Sequence, residues 1–170
     1  MRLFNLFLLL ILAGSSFAQI KQTPVAAKDI PASIKYAGHV INAVKFTDKQ
    51  GDYLVITTET GLVKVKDRDA DMEFEKADLY AYCYKIVDNK STLYWQMHDF
   101  AAECPVHVTA NYLKGTFAIA DLDNNGIAEV WLMYLTGCRG DPSPGSLKII
   151  MHQGNKKYAV RGSNRINGIC

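Results

Sequence analysis

A chain of 170 residues, 49% hydrophobic and 21% charged, is long enough for one domain with a real core. Removing Arg2 with the leader leaves 18 of the 19 Lys and Arg against 17 acidic residues, which gives no electrostatic reason to bind nucleic acid. No apolar run reaches bilayer length, so no transmembrane segment is expected after signal cleavage.

Residues 1–18 read as a secretory signal peptide. Arg2 is a short basic region, Leu3 to Ala13 is apolar apart from Asn5, and Ser16-Phe17-Ala18 is a small-x-small cleavage site. The mature chain then begins at Gln19, and the protein is expected to be exported: periplasmic, secreted or at the cell surface. Residues 19–39 are polar with Pro24 and Pro31, and read as a flexible lead-in to a single β domain over 40–170.

Strand signals follow. Val40 to Thr47 and Tyr53 to Thr58 flank the turn D-K-Q-G-D, and Leu62 to Lys66 resumes after Thr60-Gly61. Leu79 to Val87 and Thr92 to His98 flank D-N-K-S, and Leu147 to His152 and Lys157 to Arg161 flank Q-G-N-K. These runs are rich in β-branched and aromatic residues and are closed by turn chemistry. The stretch Ala101 to Tyr112 has room for a helical turn, limited by Pro105. The pattern predicts an all-β fold. Its antiparallel hairpins fall into two groups, about Val40 to His98 and Thr116 to Arg161. Each group is propeller-blade-like, and two blades cannot close a ring. A twisted meander or two packed sheets is therefore expected.

The most informative stretch is the hairpin of Thr116 to Ala120 and Ala128 to Leu135, joined by D-L-D-N-N-G-I-A-E. Side-chain oxygens fall on Asp121, Asp123, Asn125 and Glu129, and Ile127 would offer its carbonyl. Gly126 permits a left-handed turn. This spacing suits a hard cation, so calcium is the candidate cofactor. An EF-hand would need flanking helices and Glu where Leu132 stands. The loop instead resembles the calcium loop of integrin-type FG-GAP repeats. The competing reading is an acidic hairpin turn, since Asn-Asn-Gly is ordinary turn chemistry. Asp67, Asp69 and Asp71 echo the alternate acids without the glycine, and read as a solvated edge.

Four cysteines in an exported chain make disulfides plausible. Cys104 leads into the central hairpin and Cys138 follows its second strand, so a Cys104–Cys138 bridge is expected. Cys83 lies mid-strand as a buried free thiol, and Cys170 is terminal. His98, Asp99, Glu103, Cys104 and His107 lie close in sequence and could hold zinc or do acid–base work. Tyr80, Tyr82 and Tyr84 share one strand face and read either as a sugar-stacking platform or as cross-strand packing. Arg139-Gly140-Asp141 spells an adhesion tripeptide that a Gly/Pro turn also produces by chance.

Several segments together resemble a family of exported Gram-negative bacterial proteins labelled surface polysaccharide biosynthesis proteins. They are D-K-Q-G-D-Y-L-V-I-T-T-E-T from Asp48, D-L-D-N-N-G-I-A-E-V from Asp121, C-R-G-D-P-S-P from Cys138, L-K-I-I-M from Leu147 and K-Y-A-V-R-G from Lys157. The resemblance implies an exported accessory protein that works with cell-surface polysaccharide or its assembly machinery, and it supplies no catalytic residues. The alternatives from the residues are a calcium-dependent adhesion or carbohydrate-binding module, and a hydrolase using carboxylates around Asp99 and Glu103.

Overall fold

The computed structural model describes residues 20–66 and 72–165. The leader, the acidic echo Asp67–Asp71 and Cys170 lie outside the described residues. Among the described residues, eleven strands account for most of the structure. They are β1 (Lys21–Pro24), β2 (His39–Asp48), β3 (Gly51–Glu59), β4 (Val63–Lys66), β5 (Glu73–Val87) and β6 (Lys90–Cys104). The remainder are β7 (Val108–Tyr112), β8 (Ala118–Ala120), β9 (Glu129–Cys138), β10 (Ser146–Gln153) and β11 (Lys156–Ser163).

All pairings are antiparallel and form two sheets, so the fold is all-β with two packed sheets. Sheet A runs β1-β2-β3-β5-β6, with the short β4 pairing β5 beyond the end of β3. Sheet B runs β11-β10-β9, and β7 and β8 share the other side of β9. The two sequence groups correspond to β2–β6 and β8–β11. Strand β7 lies in the stretch with room for a helical turn, and that stretch is instead a strand corner. β6 continues to Cys104, and β7 starts at Val108. Between them Pro105 offers no N–H to a ladder, and Glu103 turns with φ 52°.

Strand alternation puts one face of each sheet into a shared interior. Val55, Leu79, Ala81, Cys83 and Met97 from sheet A meet Val108, Ala110, Val130, Leu132, Tyr134 and Ile150 from sheet B. A second, smaller core lies on the outer face of sheet A, where Leu54, Ile56, Tyr82 and Tyr84 pack with Ala43 and Ile34. The chain before β2 makes this core. From Ile20 onward the stretch read as a lead-in is packed: β1 pairs with β2, and residues 25–37 then cross the outer face as a strap. Ile34 is buried there, the Ala37 amide donates to the Tyr82 hydroxyl at 3.2 Å, and the Tyr84 hydroxyl donates to the Lys35 carbonyl. Polar composition and two prolines describe a segment without regular hydrogen bonding. They do not forbid Val25, Ile30 and Ile34 from finding an apolar surface.

The sheets are stapled at both ends of β9. At its C-terminal end the Cys104–Cys138 disulfide joins the last residue of β6 to the last residue of β9, with Cα atoms 5.4 Å apart. The free side of β7 is closed by carboxylates from sheet A. The Val108 amide donates to Glu75 at 3.1 Å, and the Tyr112 amide donates to Glu59 at 2.6 Å. At the N-terminal end of β9, the β2–β3 turn clasps the Asp121–Glu129 loop. The Lys49 amide donates to the Gly126 carbonyl at 2.8 Å, and the Ala128 amide donates to Asp48 at 3.0 Å.

Candidate functional site

The acidic loop is a self-bonded turn. The two oxygens of Asp121 accept the amides of Asn125 at 3.0 Å and Gly126 at 2.9 Å. Asp123 accepts the Asn125 side-chain amide at 2.8 Å and Gln153 at 3.1 Å, and Asn125 Oδ1 accepts the Ile127 amide at 2.8 Å. The Gln153 bond, with the local amides, holds the Asp123 carboxyl below the usual range. Gly126 has φ +82°, the left-handed region that favours glycine, and a Cβ there would lie 3.2 Å from the Lys49 side chain, which would have to shift.

Asp121, Asp123 and Asn125 thus share the loop interior, and their oxygens are the right chemistry for calcium. Glu129 does not join them. It is buried on β9 and accepts the Trp131 indole N–H at 3.2 Å. Among the described residues, no three His, Cys, Asp or Glu side chains converge on one metal-sized position.

The candidate acid–base cluster is split by strand alternation. Asp99 faces the seam between the sheets, where it accepts hydrogen bonds from Lys148 and from the Tyr134 hydroxyl at 2.8 Å. Burial alone would raise the Asp99 carboxyl, but the bonds from Lys148 and Tyr134 prevail and hold it below its ordinary value. His98 points to the opposite face, and Cys104 is in the disulfide. Exposed His107 meets Glu75 at 3.8 Å. Asp99 is therefore an ionised clamp between the sheets. In the Arg139-Gly140-Asp141 turn both charged side chains bond Ser143 within the same turn.

The tyrosine strip leads further than its sequence suggested. Five rings form a row on the outer face of sheet A: Tyr84, Tyr82, Tyr80, His98 and Phe100. Successive centroids are 6.5, 5.9, 4.4 and 5.4 Å apart, and Tyr80 and His98 are nearly parallel at 7°. Register explains the row, because Tyr80 lies opposite His98 and Asp78 opposite Phe100 on β5 and β6. The strap covers Tyr82 and Tyr84, leaving each less than a tenth exposed. Beyond the strap the row is open, and Phe100 is 54% exposed. His98 Nε2 lies 2.7 Å from Asp78, and Gln96 shares this face opposite Tyr82. Burial and the neighbouring Asp78 push the Tyr80 hydroxyl up. The sequence could not show which tyrosines are open, nor that His98 and Phe100 continue the row from the next strand.

A buried polar spot lies inside the sandwich, where Tyr53, Cys83, Trp95 and His152 line one small void. The His152 ring stacks on Trp95 at 3.9 Å. Among the described residues neither of its nitrogens has a hydrogen-bond partner, and neither does the Tyr53 hydroxyl. Burial, and secondarily Lys157, lowers His152 to about 4. Burial and then Asp48 push the free Cys83 thiol well above its ordinary value, so it is an inert core residue.

Comparison with protein-family models, with curated proteins and with solved structures finds no match.

Proposed function

We propose that the chain is an exported, non-enzymatic accessory protein of cell-surface polysaccharide assembly that holds glycan on the open end of the aromatic row. The observation that carries this reading is the stack of the half-buried Tyr80 with the exposed His98 and Phe100 rings, beside Asp78 and Gln96. Flat rings offer a surface for the C–H faces of sugar rings, and the flanking carboxylate and amide suit hydroxyl groups. The hydrolase alternative is less favoured, because Asp99 is committed to Lys148 and Tyr134.

The test is binding of the mature protein to a glycan array and to surface polysaccharide from a host strain. Phe100→Ala and His98→Ala are each expected to weaken binding by about tenfold, equivalent to ~1.4 kcal/mol. Phe100 is more than half exposed, so folding should survive its truncation. Absence of glycan binding by the unsubstituted protein, or binding indifferent to both changes, would overturn the reading. Deleting the gene should reduce surface polysaccharide.

A second reading concerns the loop. Three oxygen-bearing side chains around Gly126 favour calcium there, with Asp121, Asp123 and Asn125 as the holders. Glu129 and the Ile127 carbonyl would complete the set only if Glu129 leaves Trp131.

A further inference from the structure

Two packed sheets cover each other only where both have a strand. β6 forms one edge of sheet A and crosses β10 of sheet B. The Trp95 ring stacks on His152 at 3.9 Å, and the Asp99 carboxylate meets the Lys148 ammonium. Sheet B continues one strand further, to β11, and every residue of β11 is exposed. Lys157, Ala159 and Arg161 lie on the core side of sheet B, opposite His152, Ile150 and Lys148 in register. Those three partners are buried or half-buried under sheet A, whereas β11 overhangs it.

The edge beside that overhang is open. Among the described residues β6 pairs with β5 alone. Asp78 of β5 uses its amide and its carbonyl on Thr60, on the far side of β5 from β6. Its opposite number Phe100 is therefore in a non-hydrogen-bonded pair, and the Phe100 amide points off the sheet. There it donates to the carboxylate of its own neighbour Asp99, at 3.0 Å. Alternation turns the amides of Gln96 and His98 the same way, and no backbone acceptor meets them among the described residues. Lys157 and Arg161 are the cations of the overhang, and neither makes an ion pair among the described residues.

We propose that β6 and the overhanging β11 receive an extended, acidic segment of a partner protein, which adds to β6 as the next strand of sheet A. The open edge selects an extended peptide, because a strand offers the alternating amides and carbonyls that complete a ladder. The overhang selects its charge. Alternate side chains of the added strand would face β11, so two acids four residues apart fit Lys157 and Arg161, with a small or apolar residue between them over Ala159. The protein makes the same pairing one strand earlier, where Asp99 of β6 meets Lys148 of β10. A second copy of β6 is a poorer match, since its core-side residues here are Trp95, Met97 and Asp99, with a single acid. Cations along the lane also reject strands that carry no acids, which keeps an open edge from pairing at random.

The experiment titrates the full mature chain with a capped synthetic peptide, T-E-T-V-T-E-T, followed by amide chemical shifts. Saturable binding should move the amides of Gln96, His98 and Phe100. Replacing both glutamates of the peptide by glutamine should weaken binding about tenfold. Lys157→Glu and Arg161→Glu should each do the same, because an exposed attraction becomes a repulsion. Both positions are exposed, so folding should survive the change. Of two peptides methylated on opposite sets of alternate amide nitrogens, one should lose binding and the other keep it, because only one set faces β6. No saturable binding up to about 1 mM overturns the inference. Binding indifferent to both charge reversals, or equal for the two methylated peptides, overturns it as well. A chain that dimerises through β6 and excludes the peptide would assign the edge to a second copy, and that too overturns it.

Discussion

The two outer faces of this sandwich are built from similar sequence and treated differently. On sheet A, Leu54, Ile56, Tyr82 and Tyr84 are covered by the chain's own residues 25–37, Tyr80 packs half-buried beside them, and the row ends in the exposed His98 and Phe100. On sheet B, Trp131, Met133, Ile149 and Met151 have no such cover among the described residues. Among the described residues the strap crosses sheet A, because β1 fixes the N-terminal segment to the β2 edge of that sheet. Apolar patterning therefore states how many faces want cover. Connectivity decides which face the chain can cover itself.

The comparison breaks if truncation costs the same on both sides. Ile34→Ala removes a buried side chain from under the strap and should cost about 2 to 5 kcal/mol in denaturant melts. Val160→Ala, at an exposed position, should stay within about 0.5 kcal/mol. Equal losses would mean that sheet B is covered after all.

The shared interior offers a sharper contrast, since His152 serves both sheets. Its folded pKa of about 4 lies below the unfolded value of about 6.5, so the unfolded chain binds the extra proton. This contribution is fully present above about pH 6.5 and is lost as pH falls toward 4, by on the order of 3 kcal/mol. His152→Phe, which can still stack on Trp95, should flatten the pH dependence of the melting midpoint in that window. A slope unchanged in the variant would move the cause elsewhere, and Asp99 would affect only more acid conditions, because its carboxyl is lowered.

The smallest effect is expected at the tip of sheet B. Millimolar calcium should raise stability by about 1 kcal/mol, taking a site of the weak extracellular kind. Asp123→Ala should remove the response. Equal melting midpoints with chelator and with calcium would leave the loop as a turn satisfied by its own amides.

Much of the framework was legible in the residues. Alternation, β-branched runs and turn chemistry set out nine of the eleven strands, and the placement of Cys104 and Cys138 around the central hairpin anticipated their bridge. Gly126 was marked for a left-handed turn and has one. These are local matters, decided by backbone sterics and by neighbours in the chain. What the tertiary structure alone decided is which face each residue meets. Tyr82 and Phe100 are both aromatic strand residues, and only the path of the strap makes one buried and the other open. His98 and Asp99 are adjacent, and the two-residue period sends one to solvent and the other to Lys148. Glu129 had the spacing of a ligand, but a strand side chain projects to its own face, and there the Trp131 indole was the nearer donor. Spacing along a chain specifies distance between backbones; it does not specify which way side chains turn once two sheets pack.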